Sequence, residues 1–138
     1  MTTPPVTGAN LGLAYFAIRK NLLGVLDDFD LTFEQALLLN YLRQGDVARA
    51  DLVATTADNI KVSTAEIESH LEAAIERGLI ADGLTLTAAG VRVQQQVTER
   101  SAPLTKALFA DLPPEDLAAT GRILTTLTER ANAALSAS

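Results

Sequence analysis

The sequence of 138 residues has no cysteine and no tryptophan, and it has only two tyrosines and four phenylalanines. Without cysteine, a disulfide framework, a thiolate metal site and a cysteine nucleophile are all excluded. With so few aromatic side chains, the core must be built from aliphatic residues. Alanine and leucine dominate, alongside many glutamates and arginines, and this composition is typical of packed helices. The composition therefore predicts a mainly α protein.

Cations and long apolar runs are also scarce. The chain carries 11 Lys and Arg against 17 Asp and Glu, a net charge of -6. This charge disfavours indiscriminate binding to nucleic acid, since affinity for a duplex comes largely from neutralising phosphates. Residues 1–10 lack the features of a signal peptide, and no stretch approaches 18 uncharged apolar residues. We expect a soluble, cytoplasmic protein with no membrane partner.

Segments with the three- and four-residue apolar spacing of helices follow one another along the chain. Two capping boxes, Thr32 with Gln35 and Ser63 with Glu66, mark clean helix starts. Helices are predicted from about Ala9 to Phe29, from Thr32 to Gly45, from Ala50 to Ala57, from Ser63 to Gly78, from Thr87 through Leu108 and from Pro114 to Leu135.

Three local signals predict breaks between or within these helices. Asp82-Gly83 lies between two short apolar runs and favours a type I′ hairpin turn, because both positions tolerate a positive φ. Two very short antiparallel strands are expected there. The polar pair Asp58-Asn59 predicts a loop before the fourth helix. Pro103 predicts a kink or an interruption in the long fifth helix.

The order of these elements, together with three motifs, resembles the MarR family of bacterial regulators. The segment 71–80 (LEAAIERGLI) is similar to the end of that family's recognition helix, where Gly-Leu-Ile enters the wing. The segment 86–90 (LTAAG) resembles its return from the wing into the long helix. The segment 112–117 (LPPEDL) resembles the turn before its last helix. The resemblance covers the chain from about Asn10 to Leu135.

This resemblance implies a mainly α winged helix-turn-helix fold with long terminal dimerisation helices and a very short two-stranded wing. It implies a single domain over residues 1–138, in which residues 9–30 and 100–138 form the dimerisation helices and 32–91 the winged lobe. The implied function is that of a transcription regulator, a homodimer that binds a double-stranded DNA operator with its recognition helices, residues 63–78, in the major groove. An apolar stripe along the N-terminal helix also favours a partner surface.

Candidate DNA contacts follow from the position of polar residues around the recognition helix. Arg49, Lys61 and Arg77 flank the helices beside which a duplex backbone would pass, and they are the candidates for phosphate contacts. Ser63, Thr64, Ser69 and His70 belong to the recognition helix and are the other candidates, the last three of them for base contacts. For each residue, plain solvation is the alternative.

Two departures from the family pattern weaken the expectation of DNA binding. The connection between the predicted strands is only Asp82-Gly83, so the wing has no arginine. From Arg43 to Arg92, five Lys and Arg stand against eight Asp and Glu, a local net charge of -3. A second hypothesis is therefore a winged-helix protein-interaction module that has lost DNA binding and acts through its acidic face.

Other chemistry has little support. Glu66 and His70 stand four residues apart and could share a metal, but no third ligand is evident, so no metal or cofactor is expected. Ser63, His70 and Asp58 form a catalytic triad by composition only, and no enzymatic activity is expected.

Three aromatic residues, Tyr15, Phe16 and Phe33, are candidates for a site that binds a small aromatic or phenolic effector. The resemblance implies such a site near the junction of the dimerisation helices and the winged lobe. Packing of these side chains in the core is the alternative.

Overall fold

The computed structural model describes residues 5–137. Residues 1–4 and Ser138, which the predicted domain and dimerisation ranges include, lie outside the described part. The helices are α1 (Gly8–Asp27), α2 (Phe33–Gln44), α3 (Arg49–Ile60), α4 (Thr64–Glu76), α5 (Ala88–Phe109) and α6 (Pro114–Ala137). The prediction of a mainly α protein is confirmed. No helix in the described part is both long and apolar enough to span a bilayer.

The chain folds as two compact units, of which the first ends at Leu104 and the second begins at Thr105. The first unit holds α1 to α4, a short hairpin and most of α5. The second holds the end of α5 and the whole of α6.

The core of the first unit is aliphatic, as the lack of aromatic residues requires. Ile67, Leu71 and Ala74 of α4 are fully buried, and their spacing puts them on one face of the helix. Leu38 and Leu39 of α2 belong to the same cluster. Leu52 and Val53 of α3 complete it, and α4 packs against both α2 and α3. This arrangement is a helix-turn-helix with α4 as its last helix.

The two predicted capping boxes have different outcomes. At the start of α2, Thr32 Oγ1 accepts from the Gln35 amide at 3.0 Å, and Gln35 Oε1 accepts from the Thr32 amide at 3.2 Å. This box is complete. At the start of α4, Ser63 Oγ accepts from the Glu66 amide at 3.1 Å. The Glu66 carboxylate, however, lies near Glu34 of α2 and does not accept from the Ser63 amide, so this capping box is incomplete.

The loop predicted at Asp58-Asn59 and an interruption of α5 at Pro103 are absent, and a kink at Pro103 stays a prediction. Asp58 and Asn59 lie within α3, which ends only where Lys61 takes a left-handed φ of 59°. Both residues are exposed, and polar residues on the solvent face do not interrupt a helix. Pro103 lies inside α5, which continues to Phe109. Pro103 and Glu99, whose carbonyl loses its usual amide partner, are both exposed, and carbonyls at such positions can bond to solvent.

The wing is shorter than predicted and its turn is of a different type. One antiparallel bridge joins Ile80 to Leu86. The turn is closed by the Leu84 amide, which donates to the Ala81 carbonyl at 2.9 Å. The left-handed residue is Leu84, with φ 61°, and neither residue of Asp82-Gly83 has a positive φ, so the type I′ prediction is wrong. Leu84 takes this conformation because its side chain is needed in the core, where it is 8% exposed.

The return from the wing into α5 is fixed by one threonine and one glycine. Thr87 Oγ1 donates to the Gly78 carbonyl at 2.5 Å and accepts from the Gly90 amide at 3.0 Å, so it also caps α5. The Thr87 amide donates to the Leu79 carbonyl at 3.1 Å. A Cβ on Gly90 would lie 2.0 Å from the Leu79 carbonyl oxygen. Only glycine allows α5 to approach the end of α4 this closely.

We expect Gly90→Ala to lower the free energy of unfolding by about 2–3 kcal/mol, because the added methyl group must push α5 away from a backbone carbonyl. Urea denaturation of both proteins measures the difference. Gly24→Ala is the matched control, since a Cβ at Gly24 of α1 meets open space. That change should raise stability by about 0.5–1 kcal/mol. Equal effects of the two substitutions would contradict the close approach.

Candidate nucleic-acid interface

The outer face of α4 is open to solvent. With the opposite face buried on α2 and α3, the helix exposes Thr64, Ala65, Glu66, Ser69, Glu72 and Glu76. Ser63, at the N-cap, is exposed as well. The predicted contact residues Ser63, Thr64 and Ser69 are therefore accessible to a partner, but acidic side chains stand among them.

Arg49, the first residue of α3, is paired with two glutamates of α4. Its guanidinium donates to Glu68 Oε2 through Nη2 at 2.6 Å and through Nε at 3.2 Å, and Nη2 also contacts Glu72. These hydrogen bonds raise the pKa of Arg49 above its usual range, and the bond to Glu68 has a larger effect than the bond to Glu72. The pairing ties α3 to α4, and it occupies a cation that the sequence assigned to phosphate contact.

Arg77 also has partners within the chain. Its guanidinium donates to the Asp30 carbonyl at 2.5 Å and to the Phe29 carbonyl at 3.0 Å. These carbonyls lie just past the end of α1, where a cation is favourable. Arg77 therefore holds the end of α4 against the α1–α2 turn. The sequence did not predict this role, because the partners of Arg77 are far from it along the chain. Its assignment as a phosphate contact stays a prediction.

The remaining cations near α4 are few. Lys61 Nζ lies 3.4 Å from Asp58 Oδ1 in an exposed pair, which contributes little stability. Within residues 5–137, Arg43 and Arg92 are the two cations of the 43–92 segment whose side chains form no hydrogen bond or ion pair. The surface around α4 is thus acidic and has little free positive charge.

His70 lies against the first turn of α2. Its Nδ1 is 3.2 Å from Thr32 Oγ1, and its Nε2 is 3.6 Å from Glu34 Oε2. Gln35 Nε2 donates to the His70 carbonyl at 3.3 Å, so a second side chain of α2 reaches the same turn of α4. The ring is about three-quarters buried, with 24% of the side chain exposed. His70 is thus held by α2, and its assignment as a base contact stays a prediction.

Glu34 brings a third potential metal-binding side chain to Glu66 and His70, which the sequence did not reveal. The ligand atoms of Glu34, Glu66 and His70 all lie within 4.8 Å of one another. The spacing of Glu66 and His70 on one helix was visible in the sequence. The approach of Glu34 depends on how α2 packs against α4, which no local pattern encodes.

The three candidate effector residues lie in two groups. Tyr15 and Phe16 of α1 form an edge-to-face pair with ring centroids 5.4 Å apart, and both are exposed. Phe33 of α2 is half-buried, and the Arg19 guanidinium of α1 lies 5.1 Å above its ring. Within the described residues, the buried Arg19 Nε has no hydrogen-bond partner.

Comparison with solved structures tests the fold. No protein-family model and no curated protein matches the sequence. The crystal structure of the Staphylococcus aureus MepR–DNA complex matches 91% of this chain and 96% of its own, with a TM-score of 0.75 and 20% identity. Ligand-free NadR matches 91% of this chain and 99% of its own, with a TM-score of 0.71 and 20% identity.

A cysteine-to-serine mutant of MarR from E. coli matches 92% of this chain and 99% of its own, with a TM-score of 0.66 and 15% identity. This chain has the MarR fold. The predicted order of helices, wing and long terminal helices is confirmed over almost the whole length. In this fold α4 is the last helix of the helix-turn-helix, directly before the wing.

We expect Arg77→Ala to lower the free energy of unfolding by about 1 kcal/mol, because the carbonyls of residues 29 and 30 lose a charged donor at an exposed site. Chemical denaturation measures the change. Arg43→Ala removes the same charge from an exposed arginine with no partner in the described part, and it should leave stability unchanged. Equal stability of the two variants would show that the Arg77 contacts contribute nothing.

Proposed function

We propose that this protein is a transcription regulator that binds a specific double-stranded DNA operator as a homodimer, with α4 in the major groove. The observation that carries this proposal is the exposed face of α4 in a chain whose fold matches that of a regulator–DNA complex over 91% of its length. Because fold alone does not establish function, the support has to come from the site. Exposed hydroxyls of Thr64 and Ser69 can meet base edges, and no enzymatic role is part of the proposal.

The homodimer has support from apolar residues that a single chain leaves in water. On α1, Leu13 is 74% exposed and Phe16 is 64% exposed, and Tyr15 and Ile18 are exposed as well. In the second unit, the exposed apolar residues are Leu108, Phe109, Leu112, Ile123, Leu124, Leu127 and Leu135. Patches of this kind on soluble proteins mark interaction surfaces. A twofold dimer would offer two α4 helices to successive major grooves, about 34 Å apart.

The charge distribution sets the expected character of the DNA complex. Few cations near α4 are free, so few phosphates can be neutralised. Each neutralised phosphate adds about 0.9 to the slope of log affinity against log salt concentration. We therefore propose a complex with a shallow salt dependence, in which base contacts contribute a large share of the affinity.

Release by a small aromatic or phenolic ligand is a further part of the proposal. Phe33 offers a half-buried ring beneath the Arg19 guanidinium, and Tyr15 and Phe16 lie on the same helix as Arg19, beside the proposed dimer interface. An aromatic acid would meet both an apolar face and a cation there. These groups therefore favour an anionic aromatic ligand over a neutral one.

A second candidate is the protein-interaction module. The pairing of Arg49 with Glu68 and Glu72 favours it, because this pairing takes a cation away from the phosphates and leaves an acidic surface. Such a surface fits a basic protein partner better than a duplex.

Titration of labelled duplex from the promoter regions beside its own gene separates the two candidates. If the protein is a regulator, it should bind selected sites at moderate salt. Its affinity should fall much less steeply with salt concentration than that of a strongly basic protein. Scrambled duplex of the same composition is the control. Failure to bind any of these duplexes at low salt would exclude the proposed regulator function and would favour the protein-interaction module.

The double variant Glu68→Gln with Glu72→Gln should bind the same duplex more tightly. It removes two negative charges from α4 and frees Arg49 for a phosphate, so the salt slope should steepen by about 1. Glu115→Gln with Glu129→Gln removes the same charge from α6 and is the matched control. An equal gain in the control would mean that only net charge matters.

Phe16→Glu should convert the dimer into a monomer, because it places a charge in the proposed apolar interface. Phe16 is 64% exposed in the single chain, so folding of the monomer should be little affected. Sedimentation equilibrium measures the mass, and circular dichroism checks the fold. Asn21→Glu adds the same charge at an exposed position of α1 and should leave the dimer intact. A parent chain of monomeric mass would contradict the proposal directly.

A further inference from the structure

Three side chains with metal-binding atoms meet between α2 and α4, at the edge of the exposed face of α4. Glu66 and His70 stand one helical turn apart on α4 and point to the same side. Glu34 reaches them from the first turn of α2. Their ligand atoms lie within 4.8 Å of one another, and His70 Nε2 is 3.6 Å from Glu34 Oε2.

The charges in this cluster are not balanced by the protein. Within residues 5–137, no Lys or Arg forms an ion pair with Glu34 or Glu66. The Glu34 side chain is only 16% exposed, and the one basic side chain within ion-pair distance of it in residues 5–137 is the His70 ring. Carboxylates withdrawn from water are normally paired with a cation or bound to a metal. The largely buried Glu34 carboxylate therefore lacks a Lys or Arg partner at the point where the three side chains converge.

The His70 ring is held in the orientation that a metal ligand needs. Thr32 Oγ1 lies 3.2 Å from Nδ1, so the tautomer that donates from Nδ1 leaves the Nε2 lone pair directed at the carboxylates. Histidine ligands usually have such a partner on the second ring nitrogen, which fixes the ring and its tautomer. Thr32 is thus a positioning residue for the cluster.

One separation within the cluster fits a small divalent ion. Two ligands at about 2.0–2.1 Å from a tetrahedral ion are separated by roughly 3.3 Å, close to the separation of His70 Nε2 and Glu34 Oε2. An imidazole with two carboxylates suits Zn²⁺ and its neighbours in the transition series better than Mg²⁺ or Ca²⁺, which prefer oxygen alone.

We infer that Glu34, Glu66 and His70 form a binding site for one divalent transition-metal ion, with water completing the coordination. The ion would join the first turn of α2 to the middle of α4 and would neutralise the two unpaired carboxylates. The site stands independently of the proposed DNA function, because all of its ligands come from one chain and their placement needs no duplex.

The test uses the full chain, free of any affinity tag and stripped of metal with a chelator. Calorimetric titration with Zn²⁺ should give one ion per chain, and titration with Co²⁺ should give the visible absorption of a tetrahedral site. Zn²⁺ should also raise the midpoint of thermal unfolding, because it binds the folded chain only. Glu66→Gln and His70→Ala should each raise the dissociation constant by about 10-fold or more.

Glu76→Gln is the matched control, since it removes the same charge from α4 one or more turns away from the cluster and should leave Zn²⁺ affinity unchanged. Thr32→Ala should weaken binding by about 10-fold, and Thr32→Ser should restore it, because the hydroxyl positions the ring. Absence of saturable binding would overturn the inference. So would a loss in Glu76→Gln as large as that in Glu66→Gln, because it would indicate diffuse attraction to an acidic helix.

Glu66 is exposed, so Glu66→Gln leaves the fold intact and keeps the test decisive if another variant fails to fold. Circular dichroism of each variant identifies any that do not fold. Unchanged Zn²⁺ affinity in folded Glu66→Gln would exclude this residue as a ligand and with it the site.

Discussion

Ile67, Leu71 and Ala74 are completely buried against α2 and α3, and this burial fixes which face of α4 is exposed to solvent. An apolar stripe one helical face wide can satisfy only one packing surface. The opposite face, with Thr64 and Ser69, is therefore exposed. The contacts of Arg49, Arg77 and His70 all hold this one helix to its neighbours from different sides, so the position of α4 governs both the proposed DNA contact and the proposed metal site.

The arginines nearest to α4 are engaged in contacts within the chain. Arg49 is shared by Glu68 and Glu72, and Arg77 is engaged by carbonyls at the end of α1. Both are cations that the sequence offered for phosphates. The glutamates of α4 would thus weaken the proposed DNA binding in two ways, by repelling the duplex and by occupying an arginine. The Glu34–Glu66–His70 cluster lies beside them, and a bound divalent ion there would reduce the negative charge of the same helix.

The junction of wing and α5 shows how a short motif controls a long-range contact. Thr87 binds the Gly78 carbonyl and caps α5, and Gly90 lets the helix approach the Leu79 carbonyl. Because these contacts fix the start of α5, the wing can shrink to a single bridge without loosening the connection. The motif needs threonine at position 87 for its two hydrogen bonds, and it needs glycine at position 90 because a Cβ there would clash with the Leu79 carbonyl.

The sequence by itself determined the helices, because apolar spacing, the cap at Thr32 and the motif at 86–90 are local signals. It failed at Asp58, where the polar residues lie on the solvent face of α3, and at the type I′ turn, where Leu84 is buried and takes the positive φ. Only the tertiary structure decided the partners of Arg49, Arg77 and His70. Glu34 and Glu66 come together because α2 packs on α4, and Phe29 meets Arg77 because α1 ends beside α4. Such contacts join residues far apart in the chain, and their energies depend on packing geometry that local sequence does not encode.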